Sequence, residues 1–375
     1  MIPKDPNRLK EMRKAIGVTR VEDLRDSAMR SFGIDDSQIP TSRARFTAEA
    51  HENVKEWASR FGLISGPDQL RAFDDLAYTA LFARGCPHAT LEDLTLFSQW
   101  FAVLFFLDDQ QDIAVFTGRS GSFAALQDEL GDILLQGGTG ANEDGIGLPA
   151  AVADLCRRTR PVVSDRWWNR FTAHAESVFA AQRAENRHRL EGTVPSVGEF
   201  ITMRREASTV EICFDLIEAC ERGRFPNAVR YSPAARDYVA ALNDFTTWTN
   251  DLFGVERDAA NADPNNYVLV RQHADGCDRQ HAVKTATEDV RRLFGTLAEL
   301  RRRVEDTAFA LGFDEEVRGG VRRVLDGWYA WAVHVPLSYL AENSRLIKMD
   351  EVPSGTPPRF TEDVLPDGRV VERTP

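Results

Sequence analysis

Residues 100–112, WFAVLFFLDDQQD, constrain this chain more than any other stretch: an apolar run ends in two adjacent acids, and a third follows three residues on. Read as a helix, the run sets Asp108 and Asp112 about 40° apart around the axis and turns Asp109 away by roughly a quarter turn. Phe101, Leu104 and Phe105 precede the acids on adjoining turns, so the carboxylates belong at the rim of an apolar cavity. Paired hard oxygen donors suit Mg²⁺, which takes one or two protein carboxylates and completes its octahedron with water and phosphate oxygens. An isolated DDxxD is as readily a solvated helix end. The rest of the chain has to decide.

Helical periodicity runs through most of that remainder. A Thr cap and a Gly stop bracket a helix in which Val54, Trp57, Ala58 and Phe61 recur at helical spacing. Further helices are predicted over 68–83, 91–116, 122–135, 148–158, 165–190, 197–220, 234–258, 281–310 and 314–347. Residues 1–38 read as a polar N-terminal extension with short helices at 6–16 and 21–32. The Gly-rich 137–147 reads as a surface connection, since it lacks the Lys and Ser or Thr of a phosphate-binding loop, and 261–266, NADPNN, as a turn. From 348 to 375, Pro353, Pro357, Pro358 and Pro366 among scattered charges suggest a flexible tail. Strand-like alternation is nearly absent. One all-α domain over 39–347 is expected.

Composition narrows the function. A net charge of −12 and a pI near 5.2 argue against nucleic acid, whose binders carry clustered basic surface. The five cysteines, Cys86, Cys156, Cys213, Cys220 and Cys277, are scattered without CxxC spacing and suggest neither a disulfide framework nor a zinc site. No apolar run reaches membrane-spanning length and the N-terminus is charged throughout, so a cytoplasmic protein without stable membrane insertion is expected. HxxxH, HExxH and GxSxG patterns are missing, which leaves zinc and serine hydrolase chemistry unsupported.

A second acidic motif, NDLFGVERD at 250–258, again follows an aromatic helix carrying Tyr238, Leu242, Phe245 and Trp248. Residues 250, 254 and 258 fall on one drifting helical stripe. With 83–112, ARGCPHATLEDLTLFSQWFAVLFFLDDQQD, this order of motifs resembles that of bacterial class I terpene synthases, and the resemblance extends over residues 40 to about 347. It implies a helical bundle around a deep apolar cavity that receives an isoprenoid tail. It also implies three Mg²⁺ ions held by Asp108, Asp112, Asn250 and Asp258, with Asp109 orienting a ligand from behind. The family pattern is NDxxSxxxE, from which this chain departs at Gly254 and Asp258: Gly supplies no ligand, and Asp must come closer than Glu. A water filling the lost position is acceptable to Mg²⁺.

At the upstream spacing where that family carries a diphosphate-sensing arginine stands Arg204, with Arg205 as a possible substitute. Ala207 and Ser208 occupy the region of the family's ionisation-triggering helix break, and the trigger residues stay unassigned. Arg257 and Arg345 resemble two further diphosphate contacts, although Leu346 replaces the Tyr that follows the family's terminal Arg. Arg suits this work because its planar fork donates to two phosphate oxygens at once. Phe105 is assigned to the catalytic pocket; Trp100, Phe106, Trp248, Trp328, Trp331 and Tyr339 are candidate lining and equally good core residues.

The reading is Mg²⁺-dependent ionisation of a linear isoprenyl diphosphate followed by carbocation cyclisation. Farnesyl diphosphate is favoured, geranylgeranyl diphosphate comes next, and a homodimer is possible. Two alternatives stay open: a chain-elongating prenyltransferase, against which the NDLF of the second motif speaks, and a non-catalytic isoprenoid-binding descendant, which Gly254, Asp258 and Leu346 keep in play. The class II mechanism has no DxDD to work with.

Overall fold

Residues 91–117 form a helix with buried side chains on nearly every face, among them Leu94, Phe97, Phe101 and Phe106. An all-round apolar helix belongs at the centre of a bundle. Thr90 caps its start, the hydroxyl accepting from the Asp93 N–H at 3.2 Å, and Gly118 ends it in the left-handed conformation at φ 69°. The computed structural model describes residues 22–139, 145–222, 225–341 and 360–366, and among these no strand occurs.

Fifteen α-helices make up the described chain: α1 Glu22–Phe32, α2 Thr47–Arg60, α3 Pro67–Leu76, α4 Tyr78–Ala83, α5 Leu91–Thr117, α6 Ser120–Leu135, α7 Leu148–Thr159, α8 Asp165–Glu191, α9 Val197–Ala207, α10 Val210–Cys220, α11 Asn227–Arg230, α12 Pro233–Ala260, α13 Tyr267–Asp275, α14 Arg279–Ala310 and α15 Glu315–Ala341. The central α5 is packed by α2, α4, α6, α7 and α10, while α12 lies against α14 and α15. No described helix is long and apolar enough to cross a membrane.

An ionic network locks α8 to α10. Arg170 donates to Asp215 and Glu218, each at 2.7 Å, and His174 meets Asp215 at 2.6 Å and Glu211 at 3.2 Å. Burial alone would lower the His174 pKa, but the two carboxylates override it and raise it to about 9. The imidazolium and guanidinium together compensate a fully buried Asp215, which standing alone would be costly.

The fold differs from the sequence reading in five places. The helix expected over 68–83 is interrupted at Ala77, φ 48°, and the one expected over 197–220 is interrupted at Thr209, φ 62°. Neither residue is the Gly or Pro that flags a break. A short helix, α13, follows the 261–266 turn. Residues 360–366, read as tail, pack onto α5: the fully buried Gln110 amide donates to the Glu362 carbonyl at 2.8 Å and accepts from the Val364 N–H at 2.9 Å. Phe360 and Leu365 are buried alongside, anchors that the surrounding prolines and charges disguise. Part of the 1–38 extension is packed too, with Ala28, Met29 and Phe32 buried and α1 set against α14 and α15. The helix expected at 6–16 lies outside the described residues.

Candidate active site

A cavity of about 270 Å³ opens between α5, α8, the α9–α10 junction, α12 and α15. Phe101, Leu104, Phe105, Val210, Trp331 and Val335 supply apolar wall; Asp108, Asp112, Asn250, Asp258, Arg204 and Arg257 supply polar wall. The two acidic motifs are thus brought to one space from helices far apart in sequence. Asp108 is exposed and Asp112 half-buried, as expected for acids at a rim, whereas Asp109 is fully buried and absent from the cavity wall.

The donor set on this wall is carboxylate and carboxamide oxygen, which fits a hard divalent cation such as Mg²⁺. Cys213 also lines the cavity, and burial pushes its thiol well above the usual range, so it offers no thiolate to a softer metal. Among the described His, Cys, Asp and Glu residues, three ligand atoms converge only at the surface trio His51, Glu52 and Asp74, where Lys55 already holds Asp74 at 2.8 Å.

The second motif is organised by its neighbours. Asn266 caps α13 by accepting from the Val268 N–H at 2.9 Å, and its amide donates to Asp258 Oδ2 and to the Asp251 carbonyl, both at 2.8 Å. Arg257 donates to the other Asp258 oxygen at 3.1 Å. Both departures from the family pattern meet here: a Cβ on Gly254 would stand 3.2 Å from Asp258 Oδ2, tighter than ordinary contact. The missing side chain at 254 leaves room for the shorter acid to lie over the helix.

Asp251 anchors Arg204. Its carboxylate accepts from Arg204 Nη2 at 2.7 Å and from the Tyr267 N–H at 2.9 Å. Burial pushes this carboxyl up, and Arg204 pulls it back. Arg205 is turned elsewhere, gripping Asp244 at 2.7 and 2.6 Å, and does not line the cavity. Arg345 and the Tyr339 side chain lie outside the described residues.

The α9–α10 junction enters the wall through Ala207, Ser208 and Thr209. A left-handed Thr costs on the order of 1–3 kcal/mol and persists only when surroundings impose it. They do so from α12: the Asn243 amide donates to the Arg205 carbonyl at 2.9 Å, and the Ser208 hydroxyl lies 3.1 Å from Asn243 Oδ1.

Of the aromatic candidates, Phe105 and Trp331 line the cavity, joined by Phe101. Phe105 is stacked on Tyr78 with ring centroids 4.3 Å apart. Trp100 donates to Thr159, Trp328 donates to the Phe214 carbonyl, Trp248 stacks on Tyr267, and Phe106 packs in the core; none of these four reaches the cavity wall. Sequence reasoning passes over Gln182, Glu185, Arg189, Asp263 and Asn265, all on the wall. Burial pushes the Glu185 carboxyl up to about 7 against the pull of Arg204 and Arg189. Gln182, Glu185 and Arg189 share one stripe of α8, but the polar residues around them in 182–191, QRAENRHRLE, leave that stripe without a signal in the sequence.

Comparison with known proteins shows the family. Residues 99–295 match the family model described as terpene synthase family 2, C-terminal metal binding. The (+)-T-muurolol synthase of Roseiflexus castenholzii, named as cyclising (2E,6E)-farnesyl diphosphate, is 32% identical over 276 residues, 73% of this chain and 82% of that protein. The (−)-δ-cadinene synthase of Streptomyces clavuligerus is 32% identical over 241 residues, 64% of this chain and 72% of its own. Among solved structures, a linalool/nerolidol synthase from Streptomyces clavuligerus superposes with a TM-score of 0.68 at 23% identity, over 78% of this chain and 98% of the other, a likeness of fold. Because the matched model is a metal-binding one, the activity depends on a divalent metal. With a family match across more than half of its 375 residues, the chain belongs to the bacterial class I terpene synthases.

Proposed function

We propose that this terpene synthase ionises farnesyl diphosphate and cyclises the resulting allylic cation to a sesquiterpene hydrocarbon or alcohol. The observation that carries the reading is the joining of both acidic motifs, Arg204 and Arg257 to a single cavity that has one apolar wall. Three Mg²⁺ ions, held by Asp108 and Asp112 on one side and Asn250 and Asp258 on the other, would supply the charge that draws the diphosphate away from carbon. Asp109, buried behind the first pair, would orient them. Arg204 is held rigid by Asp251 and aims a preorganised cation at the same group, and Arg257 adds a second, with Arg345 as a third.

Once the C–O bond breaks, the apolar wall keeps water from the cation. The faces of Phe105 and Trp331 can stabilise positive charge by roughly 1–2 kcal/mol each when desolvated. Among the described residues, that apolar wall carries no base, so the chain's contribution there is shape and exclusion. Farnesyl is favoured as chain length because the relatives named above include a farnesyl diphosphate cyclase.

Incubation with geranyl, farnesyl and geranylgeranyl diphosphates in separate tubes with Mg²⁺, followed by gas chromatography and mass spectrometry of the extract, tests the substrate. Farnesyl diphosphate should be turned over at least about tenfold more efficiently, a difference of about 1.4 kcal/mol in transition-state binding, and give a C15 product. Product from geranylgeranyl diphosphate alone would overturn the chain length.

A further inference from the structure

Arg189, on α8, is held to the cavity wall by a turn that lies outside both acidic motifs. Its Nε and Nη2 donate to one oxygen of Asp263, at 3.0 and 2.6 Å. Asp263 sits in the 261–266 turn, where its second oxygen accepts from the Asn265 backbone N–H at 3.0 Å and from its side-chain amide at 2.9 Å. The Asn265 amide also donates to the Glu185 carbonyl at 3.0 Å, tying the turn back to α8. Two of the guanidinium's three nitrogens are therefore committed.

The third is not. Arg189 Nη1 is buried with no hydrogen-bond partner, and so is Asn265 Oδ1, both on residues that line the cavity. Buried donors and acceptors without partners are uncommon in native proteins, and at a binding site they point to a ligand that completes them. The acids acting on Arg189, chiefly Asp263 with Glu185 and Asp112, include a member of the first acidic motif, which places the cation at the diphosphate end.

We propose that Arg189 is a further diphosphate-binding residue, donating Nη1–H to an oxygen of the leaving group while Asp263 fixes its other edge. Asn265 Oδ1 accepts from a water at the same end. The inference rests on the function proposed above. It also explains why the 261–266 turn is tied down at both ends. Through Asn266 the turn holds Asp258, and through Asp263 it holds Arg189, so one loop positions donors for metal and for phosphate.

The test is calorimetric titration of inorganic pyrophosphate, with Mg²⁺ present, into the full-length chain and into Arg189→Gln. One charge-assisted hydrogen bond lost should weaken pyrophosphate on the order of tenfold to a hundredfold and raise KM for farnesyl diphosphate. Should Arg189→Gln fail to fold because Asp263 is left without its cation, the double variant Arg189→Gln/Asp263→Asn removes both charges and should show the same weakening. Pyrophosphate affinity within about twofold of the parent in either variant would overturn the assignment while leaving the enzyme's reaction intact. A parent chain that takes up no pyrophosphate with Mg²⁺ would overturn the functional reading beneath it.

Discussion

Asp108→Asn should lower turnover of farnesyl diphosphate by about 10²–10³-fold, with a melting temperature close to that of the parent. The separation of the two effects follows from placement. Asp108 is exposed at the cavity rim, so exchanging a carboxylate for an amide there disturbs little packing, yet the neutral amide would hold a divalent ion much more weakly than the carboxylate. Asp109→Asn is the internal contrast. Its side chain is fully buried and off the cavity wall, and its replacement should lower stability before it lowers metal affinity. Thermal melts beside steady-state kinetics over a Mg²⁺ series check both, and an Asp108→Asn variant with parental kcat would remove the first acidic motif from the mechanism.

Arg204→Met carries the second large effect, a loss of on the order of 10²-fold in kcat/KM together with destabilisation of about 3–5 kcal/mol. The stability part has a specific origin. Asp251 is 2% exposed and would be left with a buried negative charge and one backbone donor. In the double variant Arg204→Met/Asp251→Asn that charge is gone, so stability should largely return while activity stays low. Recovery of activity with stability would show that Arg204 serves the fold and not the diphosphate.

Much of the site is local in sequence, and that part is legible. Asp108 and Asp112 are one helical turn apart, Asn250 and Asp258 two, and the caps at Thr90 and Gly118 bound α5 to within a residue of the 91–116 expected. Arg204 is legible through the resemblance together with its apolar neighbours Phe200, Ile201, Met203 and Val210, among which an unpaired cation would be costly. The residues missed are those whose meaning depends on a partner far away. Arg189 is one arginine among many until Asp263, 74 residues on, closes against it. Thr209 has no breaker's side chain, and its left-handed backbone is imposed from α12 by Asn243, so a helix straight through 197–220 is the natural expectation. The packed 360–366 segment is hidden because Gln110, an inconspicuous letter inside DDQQD, hydrogen-bonds two of its backbone groups. Gly254 and Asp258 look like two independent losses in sequence; in space the absent Cβ of one clears the carboxylate of the other.

The central claim is that the paired acids act through a divalent ion to release the diphosphate. Pyrophosphate release from farnesyl diphosphate by the purified chain, followed first with Mg²⁺, then after EDTA, then after Mg²⁺ is restored, tests it most directly. The account predicts release that stops with the chelator and resumes when the metal returns, with a C15 product in step. Release that continues at the same rate in EDTA would contradict it.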